Sequence, residues 1–266
     1  MKRSIKMGIL LVSALCTLLA GCSKQKNPVE EIKKKGKFIV GLDASFPPMG
    51  FVDEQTNEIC GYDIDLAKEV AKRLGVEFEA QPIVWNNKIN ILNEGSIDCI
   101  WSGFTITPQR EEECIFSFPY LKNEQVLVVK NDSQIKSLKD MKNKTVGAQK
   151  ESTAIQAIHA SPALCDNILS VMIYDDNIAA LNDLEKGNVD GIVLDSVVAD
   201  YLVSKSEYTF REIDETLSEE NYGIGFKKGN ELLCQEIQNI LLQMKAEGTI
   251  TAISIKWFGK DISLVE

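Results

Sequence analysis

Two rhythms of apolar residues alternate along the chain. Short apolar runs, bounded by polar turns, give way to stretches where apolar side chains return every three or four positions. Lys37 to Leu42 (KFIVGL) reads as a strand. Asp63 is expected to N-cap a helix whose Leu66, Ala67, Val70, Ala71 and Leu74 share one face. Val76 to Pro82 reads as the next strand, Lys88 to Asn93 as a short helix, and Asp98 to Trp101 as another strand. A second set starts with a strand at Gln125 to Val129. It continues through a helical turn at Ser137 to Met141, a strand at Thr145 to Ala148, and a helix from Ser152 to about His159. Val171 to Tyr174, Ile178 to Lys186, Gly191 to Leu194 and Val197 to Val203 keep the strand–helix alternation. The tail reads as a strand at Tyr222 to Phe226, then helices from Asn230 to Glu247 and Thr249 to Trp257. This alternation predicts an α/β fold.

The N-terminal pattern differs. Met7 to Ala20 is an apolar run of about 14 residues, and a membrane-spanning helix needs about 20. Lys2, Arg3 and Lys6 precede it, so it reads as an export signal spanning 1–21. Leu19-Ala20-Gly21-Cys22 resembles a bacterial lipobox, with small residues at the scissile bond. Cys22 is therefore expected to carry a diacylglycerol, and further acylation makes the anchor stable. The bland alternative is an ordinary signal with a chance cysteine. Residues 22–35 are polar and lysine-rich, which predicts a tether.

Charge narrows the partners. The formal net charge is -10; losing Lys2, Arg3 and Lys6 with the signal leaves about -13. Such a surface argues against nucleic acid or anionic membrane as the target. Cys60, Cys99, Cys114, Cys165 and Cys234 remain, an odd number with no CxxC pair. That is a poor disulfide framework and a poor metal site, and small buried hydrophobes are the simpler reading. No cofactor motif is evident, and a Walker A string is missing.

The string Ser102-Gly103-Phe104-Thr105-Ile106-Thr107-Pro108-Gln109-Arg110 gathers hydroxyls, a glycine and one arginine after a buried strand. Such a loop offers several donors to one small anion, and the arginine fork suits a carboxylate. Alone, it reads equally as a surface loop with a solvated arginine. It has company. Gly41-Leu42-Asp43-Ala44-Ser45-Phe46-Pro47-Pro48, Gly61-Tyr62-Asp63-Ile64-Asp65-Leu66-Ala67, Phe116-Ser117-Phe118-Pro119-Tyr120, Val193-Leu194-Asp195, Tyr222-Gly223-Ile224-Gly225 and Lys256-Trp257-Phe258-Gly259 follow the same order as landmarks of one family. From about Gly36 to Gly259 the chain resembles the type 3 bacterial extracellular solute-binding proteins, receptors of polar amino acid ABC importers.

The resemblance implies a two-lobed periplasmic-binding clamshell of type II. Residues 36–121 plus 222–266 would form lobe 1, and 124–220 lobe 2, joined by two hinge strands. It implies a monomeric, non-enzymatic binding protein on the extracytoplasmic face of the membrane. Such a protein passes an amino acid to a membrane permease.

A free amino acid carries a carboxylate and an ammonium, and both need partners once water is excluded. By the resemblance, Arg110 takes the carboxylate, helped from the other lobe by Ser152 and Thr153. A helix start there also supplies free N–H groups and a positive dipole end. Asp195, at a strand end where α/β folds bind ligands, takes the ammonium. Its alternative is an N-cap for the next helix. Ser102, Gly103 and Thr105 add acceptors. Phe46 and Trp85 align with aromatics that sandwich the ligand stem, although either could be core. Asp43 pairs with a cationic or amide side chain, or braces its loop. An aromatic pair beside a carboxylate suits Lys, Arg or ornithine; Gln or cystine also fits.

Two positions depart from the family pattern. Glu151 stands where many relatives carry Gly, and Met49-Gly50-Phe51 replaces an aromatic-acidic pattern. An enzyme on the same fold and a ligand sensor are the rival classes. For catalysis, Glu151 is the one candidate acid or base, because the sole histidine, His159, sits late in a helix on the expected surface.

Overall fold

A computed structural model describes residues 27–205 and 209–266. Cys22 and the export signal lie outside these residues. Two five-stranded sheets organise the chain. In the first, the strand order is Glu77–Pro82, Lys37–Leu42, Cys99–Ile100, Gly225–Phe226, Ile115–Phe116. Its first three strands are parallel, and Gly225–Phe226 enters antiparallel. The C-terminal segment therefore returns to the sheet on which the chain began. In the second, the order is Ser170–Tyr174, Thr145–Gln149, Gly191–Asp195, Leu121–Lys130, Phe210–Tyr222. A small third sheet joins Ser45–Phe46, Gly50–Val52 and Ile59–Cys60.

The two large sheets are connected by a pair of long strands. Leu121–Lys130 and Phe210–Tyr222 run antiparallel, with Leu121 opposite Tyr222, Asn123 opposite Glu220 and Gln125 opposite Ser218. The bond from Tyr120 N to Tyr222 O and the bridge of Thr105 to Tyr222 continue this pairing into the first half. This two-strand crossing leaves a cleft between the halves.

Three expectations are corrected. Residues 28–35 are not a tether: Pro28–Lys35 is a helix. Asn27 caps it, Pro28 fits its first turn, and Val29 and Ile32 are buried in the main core, so two apolar side chains one turn apart outweigh the polar composition. Asp63 is not an N-cap. Helix Tyr62–Leu74 starts one residue before it, behind Gly61, because the Tyr62 ring is itself buried. The Asp63 side chain turns inward and accepts from Gly103 N at 2.8 Å and Tyr120 Oη at 3.0 Å. Tyr222 to Phe226 is not one strand, since Phe210–Tyr222 ends before Gly225–Phe226 begins in the other sheet.

Helices Glu231–Ala246 and Thr249–Phe258 pack against helix Tyr62–Leu74 and close the first half. The five cysteines Cys60, Cys99, Cys114, Cys165 and Cys234 are free thiols; three are buried, while Cys60 and Cys165 are part-exposed. Among the described residues no helix is long and apolar enough to cross a membrane.

Candidate functional site

The cleft narrows to a small cavity between the sheets, whose space is about 280 Å3 when counted out into open solvent. Asp43, Phe46, Trp85, Ser102, Gly103, Thr105, Arg110, Ser152, Thr153 and Asp195 all line it, so the structure brings together the ten positions singled out in the sequence. Gln149 is the eleventh.

Arg110 enters the cavity from the first half. Its short helix Pro108–Glu111 is started by Thr107, whose side chain accepts from Arg110 N. The guanidinium donates from Nη1 to Thr105 O at 2.9 Å and from Nη2 across the cleft to Glu151 O at 3.2 Å. It lies 4.6 Å over the Phe104 ring. Among the described residues it has no carboxylate partner. A buried guanidinium held by two carbonyls keeps its positive charge and retains donors for an anion.

Facing it across the cleft, helix Thr153–Ala160 begins without any side-chain cap on its N–H groups. The Ser152 hydroxyl instead donates to Gln149 O at 2.8 Å. Before it, Glu151 sits at φ +58°, the left-handed region. A residue without Cβ would take this conformation at no steric cost, whereas Glu151 adopts it with a side chain. The turn aims the Glu151 carbonyl at Arg110.

Asp195 enters the cavity from the second half, as the last residue of Gly191–Asp195. Its Oδ1 accepts from Tyr222 Oη at 2.6 Å, Asn123 Nδ2 at 2.6 Å and Gln125 Nε2 at 3.0 Å. Burial, and after it the nearby Glu220 carboxylate, pushes its pKa up to about 7. An arriving cation would restore the charged form. The N-cap alternative is not observed: every bond recorded for its side chain goes to Asn123, Gln125 or Tyr222.

Glu220 escaped the sequence reading. Its Oε2 accepts from Thr105 Oγ1 at 2.9 Å in the first half and Thr153 Oγ1 at 3.0 Å in the second. Gln125 and Asn123 on the opposite hinge strand add contacts at 3.2 and 3.3 Å. One carboxylate oxygen thus gathers both halves and the hinge. Its only sequence signal is register: it faces Asn123 where the hinge strands cross. Thr105 accordingly donates its hydroxyl to Glu220 and presents lone pairs elsewhere, while its carbonyl holds Arg110.

The aromatic walls are buried. Trp85 packs edge-on to Phe104, and Lys88 Nζ sits 4.7 Å over the Trp85 ring. Phe46 presses on Gly103, whose φ is +53°; a Cβ there would lie 2.6 Å from the Phe46 ring. Ser102 Oγ accepts from Asp43 N at 3.1 Å. Asp43 accepts from Ser45 N at 2.9 Å and from Gln149 Nε2 at 2.7 Å. It therefore both braces its own loop and bonds across the cleft.

This geometry sets a guanidinium and a carboxyl group in one small cavity, on halves joined by two strands. The sequence profile of the bacterial extracellular solute-binding proteins, family 3, matches residues 38–260. The chain belongs to this family. A curated relative, the L-cystine-binding protein TcyJ of Escherichia coli K12, is 30% identical over 98% of this chain and 97% of its own. The glutamine-binding protein of Geobacillus stearothermophilus is 34% identical over 90% of this chain and all of its own. Among solved structures, a Streptococcus pneumoniae ABC uptake transporter substrate-binding protein with bound histidine is similar, with TM-score 0.85 and 33% identity. That match covers 90% of this chain and 98% of that one. An ancestral amino acid-binding protein, a precursor of cyclohexadienyl dehydratase, has TM-score 0.79 and 34% identity, covering 86% and 99%. The family 3 solute-binding protein described here has their two-lobed type II architecture.

Proposed function

We propose that this solute-binding protein captures a free polar amino acid between its lobes and delivers it to the permease of an ABC importer. The observation that carries the reading is that Arg110 from the first half and Asp195 from the second line the same small cavity. A zwitterion offers each the group it lacks: a carboxylate for the guanidinium and an ammonium for the aspartate. The uncapped N-terminus of Thr153–Ala160 completes the carboxylate site. Phe46 and Trp85 flank the stem, and Asp43 with Gln149 meets the side chain.

Lobe 1 comprises residues 36–121 and 222–266, and lobe 2 residues 124–220. Lobe 1 contributes seven of the lining residues and lobe 2 four, so the ligand binds the closed form better and shifts the population toward it. No covalent chemistry is assigned. His159 is exposed on a helix away from the cavity, and Glu151 meets Arg110 through its carbonyl rather than its carboxylate. The protein works as a monomer on the outer face of the membrane, held by lipid on Cys22. L-Arginine, L-histidine, L-glutamine and L-cystine head the candidate ligands, from the names of the relatives.

A thermal-shift screen against the twenty amino acids, ornithine and cystine tests this reading. A ligand at 100 times its dissociation constant adds about 2.7 kcal/mol, a shift of several degrees in a protein of this size. No shift with any of them contradicts the reading.

A further inference from the structure

A second chamber adjoins the first. It opens to solvent, spans about 910 Å3 counted out into open solvent, and shares Arg110 and Ser152 as common walls. The two spaces meet where the chain passes from Trp85, which lines the inner one, to Asn86, which lines the outer one. The outer chamber contains a charge that the amino acid reading leaves unused. Lys88 is only 6% exposed, yet among the described residues it has no carboxylate partner. Its ammonium donates to Trp85 O at 3.1 Å and Glu151 O at 3.4 Å, leaving a third N–H. Arg110 donates to the same Glu151 oxygen, so two buried cations converge on one carbonyl. Burial, and after it the Arg110 charge, pulls Lys88 down to about 8, against the raising pull of Glu151, Glu113 and Cys114. An anion beside Lys88 relieves both costs.

The rest of the lining complements a cation. Glu113 and Glu151 offer carboxylates, and Asn86, Asn90 and Gln156 offer amides. A lysine, two glutamates and several amides supply partners for a carboxylate and an ammonium together. We propose that this outer chamber is a distal subsite, anchored by Lys88, which takes the far zwitterionic head of a two-headed amino acid. The near head lies with Arg110 and Asp195, and the linker runs past Arg110 and Ser152, the walls the two spaces share. This rests on the amino acid reading of the inner cavity and narrows its substrate to amino acids joined through their side chains.

The test is calorimetric titration of the full-length protein at pH 7 with L-cystine and L-cystathionine, which have two heads, and S-methyl-L-cysteine, which has one. The two-headed compounds should bind at least tenfold more tightly. Lys88→Met should shrink that ratio about tenfold and Lys88→Arg should preserve it, since a charged hydrogen bond is worth about that factor. The ratio is the readout because a general effect on closure moves both affinities together. Should Lys88→Met fail to fold, Glu113→Gln, on an exposed side chain, reads the same ratio at the ammonium end. Equal or weaker binding of the two-headed compounds, or a ratio untouched in the folded variants, overturns the subsite alone. No binding of any amino acid overturns it together with the amino acid reading.

Discussion

Gln149 donates its side-chain amide to Asp43 across the cleft at 2.7 Å, and both residues are buried. With Ser45 N on the other oxygen, Asp43 is satisfied within the protein. The bond joins a strand end of the first sheet to a strand end of the second, so it forms only when the halves are together. Gln149→Leu strands one buried carboxylate oxygen, at a cost of about 1–3 kcal/mol to the closed form. Affinity for the amino acid selected by the screen should fall tenfold or more by calorimetry. Unchanged affinity would mean that closure does not depend on this bond.

Affinity should depend on pH through Asp195. Burial holds its carboxyl near pKa 7 instead of 3.8, and an ammonium needs it ionised. Below pH 7 the ligand must expel a proton, so affinity should fall up to tenfold per pH unit down to pH 5. Asp195→Asn should bind weakly at every pH, with a flat profile. Stability moves the opposite way. A carboxyl whose folded pKa is raised stabilises the protein fully below about 3.8 and loses that contribution as pH climbs through about 7. The unliganded protein should therefore melt at a lower temperature at pH 8 than Asp195→Asn does. Titrations and melts between pH 5 and 8 check both signs.

Much of this was legible in the sequence, and the omissions have physical causes. Strands such as Lys37–Leu42 and Gly191–Asp195 are continuous apolar runs because both faces of their sheets are covered. The cavity residues were singled out chiefly through the family resemblance of the motifs around them, and the structure lines one cavity with all ten. The end of Phe210–Tyr222 was expected from the resemblance as a hinge strand near 218–223, but its earlier part was missed because FREIDETLSEENY is a polar edge strand whose partner is fixed by tertiary register. The role of Glu220 was hidden with that register. Gln149 was missed because an amide at the end of a strand has no local signature; its role appears only when the other half faces it. Helix Pro28–Lys35 was masked by its lysines, since two buried side chains suffice to dock it.

Glu151 is a site of backbone strain that a single change relieves. Its φ of +58° costs a residue with Cβ about 1 kcal/mol relative to glycine. Glu151→Gly should raise the melting temperature of the unliganded protein by about 2–4 °C. Thermal unfolding followed by circular dichroism checks this. A lower melting temperature would show that the Glu151 side chain stabilises the turn by more than its backbone strains it.

The anchor is tested by moving one atom type. Cys22→Ser removes the thiol proposed to accept the diacylglycerol. The protein should pass from the membrane fraction to the soluble extracytoplasmic fraction, and labelled palmitate should no longer be incorporated. Membrane retention of the variant would contradict lipidation at Cys22.

The central claim is that Arg110 receives the ligand carboxylate. Calorimetric titration of Arg110→Ala, beside the wild type and with circular dichroism to confirm folding, measures it most directly. Wild-type binding with a loss of at least a hundredfold in the folded variant agrees with a buried, charge-assisted contact. Near-normal affinity in folded Arg110→Ala would place the carboxylate elsewhere and contradict the binding mode proposed here.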